Sequence, residues 1–67
     1  MNLTERQVQV IRAFARNDMR VHATAVSTGL HPNTITYNLD RVQKSTGLDP
    51  RKFYDLVKLL VQLGPER

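Results

Sequence analysis

Cysteine is absent from the sequence, which removes disulfides and thiolate–metal ligation as ways to hold the chain together. No run of about 18 apolar residues occurs, and no charged start leads into an apolar segment, so neither a membrane span nor a secretory leader is expected. Both absences fit a reducing interior, and the expected location is the cytoplasm. Acidic groups are also few: six Asp and Glu stand against ten Lys and Arg, a formal charge of +4. The carboxylates are scattered, no glycine-rich phosphate loop exists, and no Ser or Thr has a histidine placed to activate it, so no catalysis and no cofactor are expected. At 67 residues the chain is a single domain, expected over 1–67. A domain near that size buries only about 60% of the surface its unfolded chain exposes. It is too short to enclose a substantial cleft, so no small-molecule site is expected within it. Compact helix packing or self-association must supply its stability. The basic excess suggests a polyanionic partner, of which nucleic acid is the commonest.

What is present is a succession of helical signals with short breaks. The first helix is expected over about 4–16. Thr4 caps it, Gln7 completes a capping box, and Leu3 and Val8 flank them as a staple. Val8, Ile11, Phe14 and Ala15 then recur at helical spacing as the buried stripe. Asn17-Asp18 supplies the stop, since both residues tolerate turn conformations. A shorter helix follows over about 20–28, with Val21, Ala25 and Val26 as its small apolar side and Gly29 as its end. The third helix is expected over about 32–45. His31 precedes proline and is driven toward the extended geometry of a cap, and Pro32 suits the first helical position. Ile35, Leu39 and Val42 form its inner stripe and Gly47 ends it. For the fourth helix, about 50–63, Asp49 is expected to cap, Pro50 to open and Gly64-Pro65 to terminate.

The break between the second and third helices is the informative one. Little more than Gly29 and Leu30 joins them, which forces a sharp crossing. Ala25 supplies the small side chain that close approach demands, and Ile35 can pack back on the first helix of the pair. This is helix-turn-helix spacing, in an all-α, four-helix chain. With Ile35, Leu39 and Val42 inward, about 100° of rotation per residue puts Asn33, Tyr37, Asp40 and Lys44 outward, flanked by Thr34, Thr36 and Arg41. Asn can make two hydrogen bonds to adenine, Thr and Tyr can reach bases or phosphates, and Arg41 and Lys44 suit phosphate. His31, at the helix start, holds the turn or touches phosphate. The candidate DNA-contacting set is therefore His31, Asn33, Thr34, Thr36, Tyr37, Arg41 and Lys44, with double-stranded DNA as the partner. An ordinary solvated face is the plainer alternative. Asp40 has three readings: acceptor from a cytosine amino group, deterrent to wrong sites, or ion-pair partner within its helix. The i,i+4 spacing to Lys44 favours the pair.

Thr24-Ala25, Leu30-His31-Pro32-Asn33-Thr34-Ile35-Thr36-Tyr37, Leu39-Asp40-Arg41-Val42, Thr46-Gly47-Leu48-Asp49-Pro50-Arg51 and Phe53-Tyr54-Asp55-Leu56 together resemble the C-terminal helix-turn-helix domain of PucR-type regulators, which include purine-catabolism and sugar-diacid regulators. The resemblance covers about residues 20–63. It implies a bacterial transcriptional regulator in which such a module follows a larger sensory region. Two positions depart from the family's habit. Asn38 stands where arginine is usual, which implies one phosphate contact fewer, and Thr28 stands where an aliphatic residue is usual, which implies a thinner core. The opening, Leu3-Thr4-Glu5-Arg6 with Val8 and Ile11, is similar to LuxR/FixJ-type DNA-binding domains, and Asn33-Thr34-Ile35 fits those too.

The two histidines, His22 and His31, lie nine residues apart on different elements with no cysteine between them, so capping or surface roles are expected and no metal. In the fourth helix Phe53, Leu56, Val57, Leu60 and Leu63 line one face. Tyr54, Leu59 and Val61 widen it beyond what one small core needs. That excess is either plain core or a homodimer surface, since helix-turn-helix proteins commonly read two half-sites related by twofold symmetry. A helical protein-interaction module without DNA binding is the competing function; the threonine-rich outer side of the third helix argues against a protein-binding groove there.

Overall fold

The computed structural model describes residues 2–65; the expected domain limits at Met1, Glu66 and Arg67 lie outside the described residues. Four α-helices follow in order: α1 Glu5–Arg16, α2 Val21–Thr28, α3 Pro32–Thr46 and α4 Phe53–Leu63, with no strand among the described residues. This is the all-α helix-turn-helix architecture that the periodicity predicts.

Helix α1 is central and packs against α2, α3 and α4. Its start is the expected capping box: the Gln7 N–H donates to Thr4 Oγ1 and the Thr4 N–H to Gln7 Oε1, both at 3.0 Å. Its buried residues are Gln7, Val10, Ile11, Ala13 and Phe14, while Val8 and Ala15 are only half-buried. A helix wrapped by three neighbours buries a wider arc than a single stripe describes, so Val10 and Ala13 join the core and Val8 moves to its edge. Ala25 from α2, Ile35, Leu39 and Val42 from α3, and Leu56 and Leu59 from α4 complete that core.

The exit from α1 differs from expectation in one respect. Asn17 keeps a negative φ and ties the end down, its Nδ2 donating to the Ala13 carbonyl at 2.7 Å and to Ser27 Oγ at 3.1 Å. The left-handed conformations fall on Asp18 (φ 56°) and Met19 (φ 61°) instead. Met19 is an unusual occupant of that region, which costs an L-residue roughly 1–2 kcal/mol. Its half-buried side chain packs on the core, and its N–H closes the turn on the Phe14 carbonyl at 2.8 Å.

Between α2 and α3, Gly29 adopts φ 73°, the left-handed conformation expected there. The Leu30 N–H reaches back to the Ala25 carbonyl at 3.2 Å. Thr28 is more than a thin spot in the core. Its hydroxyl donates to the Thr24 carbonyl at 2.8 Å and accepts from the Leu30 N–H at 3.3 Å, closing the same turn.

Helix α4 begins at Phe53, three residues later than the Asp49-Pro50 signal suggests. Asp49 does cap, but it caps a separate turn. Its Oδ1 accepts from the Arg51 N–H at 3.0 Å and its carbonyl from the Lys52 N–H at 2.9 Å, while Pro50 is fully buried. Lys52 then stands at the helix N-cap without a side-chain bond.

The phase of α4 also corrects the expected face. Leu59, grouped with the candidate dimer residues, is 0% exposed and lies in the core. Phe53, expected on the inner face, is 63% exposed, and Val57 is exposed as well. Starting at Phe53 and packing only on α1, the helix turns Leu56 and Leu59 fully inward, half-buries Leu60 and Leu63, and leaves Phe53, Tyr54, Val57 and Val61 outside.

Replacing Gly29 by alanine should lower stability by about 1–2 kcal/mol, the cost of a Cβ in the left-handed region. The space around that Cβ is empty, with nothing within 4 Å, so the loss is conformational and not steric. Gly29→Asn, which tolerates this conformation better, should recover part of it in urea unfolding. Equal stability of Gly29→Ala and the parent would contradict the turn geometry.

Candidate nucleic-acid interface

The site is built on α3. Its start is fixed by His31, whose extended backbone places Nδ1 to accept from the Asn33 N–H at 3.0 Å, with Pro32 occupying the first turn. The imidazole therefore caps the helix through Nδ1 and leaves the rest of its ring at the exposed amino end. Its inner side buries Ile35, Asn38, Leu39 and Val42 against α1 and α2.

The expected outer residues fall into two groups. His31, Asn33, Tyr37, Asp40, Arg41 and Lys44 are exposed, Tyr37 by 61%. Thr34 and Thr36 are half-buried flankers. The Thr36 hydroxyl turns back to donate to the Asn33 carbonyl at 3.1 Å. From Asn33 to Lys44 the helix rises roughly 16 Å at 1.5 Å per residue. A helix with its side chains is about 10–12 Å across, close to the roughly 12 Å width of the B-DNA major groove. Among the described residues no helix is long and apolar enough to cross a membrane, and no cluster of three or more metal-ligating side chains occurs.

Asp40 does not pair with Lys44. Its Oδ1 instead accepts from Arg51 Nη2 at 2.9 Å, across eleven residues and from a different element. Arg51 also reaches the Thr36 carbonyl at 3.4 Å. Arg51 thus joins the outer side of α3, and periodicity could not have found it, because the contact depends on how the Asp49-Pro50 turn folds back. Asn38, at the position where the resemblance implies an arginine, is buried, and its Nδ2 donates to the Thr34 carbonyl at 2.8 Å. It serves the helix's own backbone on the inner side.

A second feature lies away from this face. An apolar cleft of about 390 Å³ between the end of α1 and α4 is lined by Ala15, Asp18, Met19, Phe53, Leu56, Val57 and Leu60.

Two short helices crossing at a left-handed glycine, with the second capped at its amino end and polar on its free side, define a helix-turn-helix domain. The chain belongs to the family of PucR C-terminal helix-turn-helix domains, whose model matches residues 7–64. It is similar to the transcriptional activator PmfR of Paenarthrobacter nicotinovorans, at 37% identity over 57 residues covering 79% of this chain and 12% of that protein. It is also similar to the carbohydrate diacid regulator of Escherichia coli K12, at 36% identity over 61 residues covering 88% of this chain and 16% of that protein. The chain therefore spans less than a fifth of the length of either relative. No solved structure matches it significantly.

The cap makes a prediction of its own. His31→Ala should cost about 1 kcal/mol of stability, the usual worth of an N-cap side chain. His31→Asp should restore it in thermal melts, because a carboxylate both caps and suits the positive end of the helix dipole. Indifference of the melting temperature to both changes would show that the imidazole contributes nothing to the helix start.

Proposed function

We propose that the domain binds double-stranded DNA sequence-specifically in bacterial transcription regulation, with α3 as the helix that enters the major groove. The observation that carries this reading is the free outer side of α3: His31, Asn33, Tyr37, Arg41 and Lys44 stand exposed on a helix whose other side is locked into the core. In this reading Asn33 and Tyr37 contact bases, Thr34 and Thr36 border the groove walls, and Arg41 and Lys44 neutralise phosphates. The amino end of α3 adds a favourable dipole for a phosphate near His31. Family membership supports the assignment, and so do the relatives, one a transcriptional activator and the other a regulator by name.

The test is a binding titration at several salt concentrations. Affinity should fall with salt by roughly 0.9 log unit per log unit for each phosphate neutralised. Asn33→Ala and Tyr37→Ala should erase preference for the selected site, each lost base contact being worth about 1–3 kcal/mol of discrimination. Arg41→Ala and Lys44→Ala should weaken all sequences about equally and flatten the salt slope. Absence of any duplex binding at micromolar protein and low salt would favour the protein-interaction reading instead.

A homodimer is the second part of the proposal. Tyr54 (77% exposed) and Val61 (75% exposed) form, with Phe53 and Val57, an apolar surface on α4, and a dimer would present two reading helices to a twofold site. In sedimentation equilibrium, Tyr54→Asp and Val61→Asp should give folded monomers from a dimeric parent. Leu59→Asp should unfold the domain, since it buries a charge in the core. A monomeric parent at tens of micromolar would end the dimer proposal.

A further inference from the structure

Arg51 is held on the outer side of α3 by an unusually well-anchored turn. Its own N–H is bound by Asp49 Oδ1 at 3.0 Å, the Asp49 N–H is bound by Asp55 Oδ2 at 3.0 Å, and Pro50 between them is fully buried. The guanidinium then spans Asp40 Oδ1 at 2.9 Å, the Thr36 carbonyl at 3.4 Å and Asp49 Oδ1 at 3.8 Å. Only one oxygen of Asp40 is taken, and its side chain remains 59% exposed. Its Oδ2 has no hydrogen-bond partner among the described residues, and helical spacing puts Asp40 on the same side of α3 as Asn33, Tyr37 and Lys44.

A bare carboxylate on a helix that lies against DNA is repelled by phosphates. Here Arg51 offsets that charge and restrains the Asp40 side chain, which lowers the ordering cost of a contact made by its other oxygen. An acceptor with no donor suits one major-groove edge best. Cytosine offers its N4 amino group alone, guanine and thymine offer acceptors, and adenine sets N7 beside its amino group. We propose that Asp40 is a specificity-determining residue that accepts from a cytosine amino group, and that Arg51 is the positioning residue that holds it there. This rests on the reading of α3 as the groove-facing helix.

The test is selection of duplexes from a random pool by the parent chain, Asp40→Ala, Arg51→Met and Arg51→Lys, with circular dichroism confirming that each variant is folded. The parent should require cytosine at one position of its site, and replacing that cytosine should weaken it about 5- to 150-fold, the equivalent of one good base contact. Asp40→Ala should lose the requirement at that position while keeping the others. Arg51→Met should blur the same position, and Arg51→Lys should restore part of it. Unchanged base profiles in Asp40→Ala and Arg51→Met would overturn the inference and leave the DNA-reading helix intact. Uniform weakening of all sequences by Arg51→Met would also overturn it, making Arg51 a phosphate contact. A parent chain that enriches no sequence at all would sink the underlying reading of α3 itself.

Discussion

The left-handed turn at Gly29 decides how α2 and α3 meet. It ends α2 and lets α3 begin three residues later at Pro32, so that the two helices pack together with Ala25 and Ile35 in the shared core. Thr28 supports the reversal from the side by bonding its hydroxyl both to the preceding turn of α2 and to the Leu30 N–H. Because α1 and α2 hold the inner side of α3, its polar side stays exposed from His31 to Lys44, with Arg51 alone among the described residues bonded there at Thr36 and Asp40. A continuous helix through residue 29 would pack differently and leave no such face.

Charge on that face is arranged as carefully as shape. An aspartate in the middle of a DNA-facing helix would ordinarily work against phosphate contact, and an isolated surface ion pair would contribute little to stability. The turn of Asp49, Pro50 and Arg51 acts on the first of these by setting a cation beside that carboxylate. It spends backbone and side-chain bonds on fixing one arginine, which then orients the aspartate from outside the helix. The delayed start of α4 at Phe53 follows from the same turn. Packed on α1, that helix buries Leu59 and exposes Tyr54 and Val61.

Much of this was legible in the residues. Local signals were decisive where one residue's chemistry had a single use: Thr4 with Gln7 as a capping box, Gly29 as a helix end, His31-Pro32 as a helix start, and Ile35, Leu39 and Val42 as an inner stripe. They failed where tertiary packing chose between equivalent options. Val8 and Val10 are both apolar, and only the presence of three neighbours around α1 decides which is buried deeper. Asp49-Pro50 is as good a turn as a helix start, and the burial of Pro50 selects the turn. Asp40 had a suitable cation at helical spacing in Lys44, yet Arg51 outcompetes it because its backbone is already fixed beside α3. Asn38 looked like a lost surface contact and is an inward-facing amide. Which residues stand on the outer side of α3 was thus readable from spacing, apart from Arg51, which a turn delivers.

Amide chemical-shift mapping of the isotope-labelled chain, during titration with a selected duplex, shows whether DNA lies against the outer side of α3. If it does, the largest changes run from His31 to Lys44 and include Arg51, while Val57 and Val61 on α4 shift little. Changes concentrated on α4, with the Asn33 and Tyr37 amides unmoved, would contradict it.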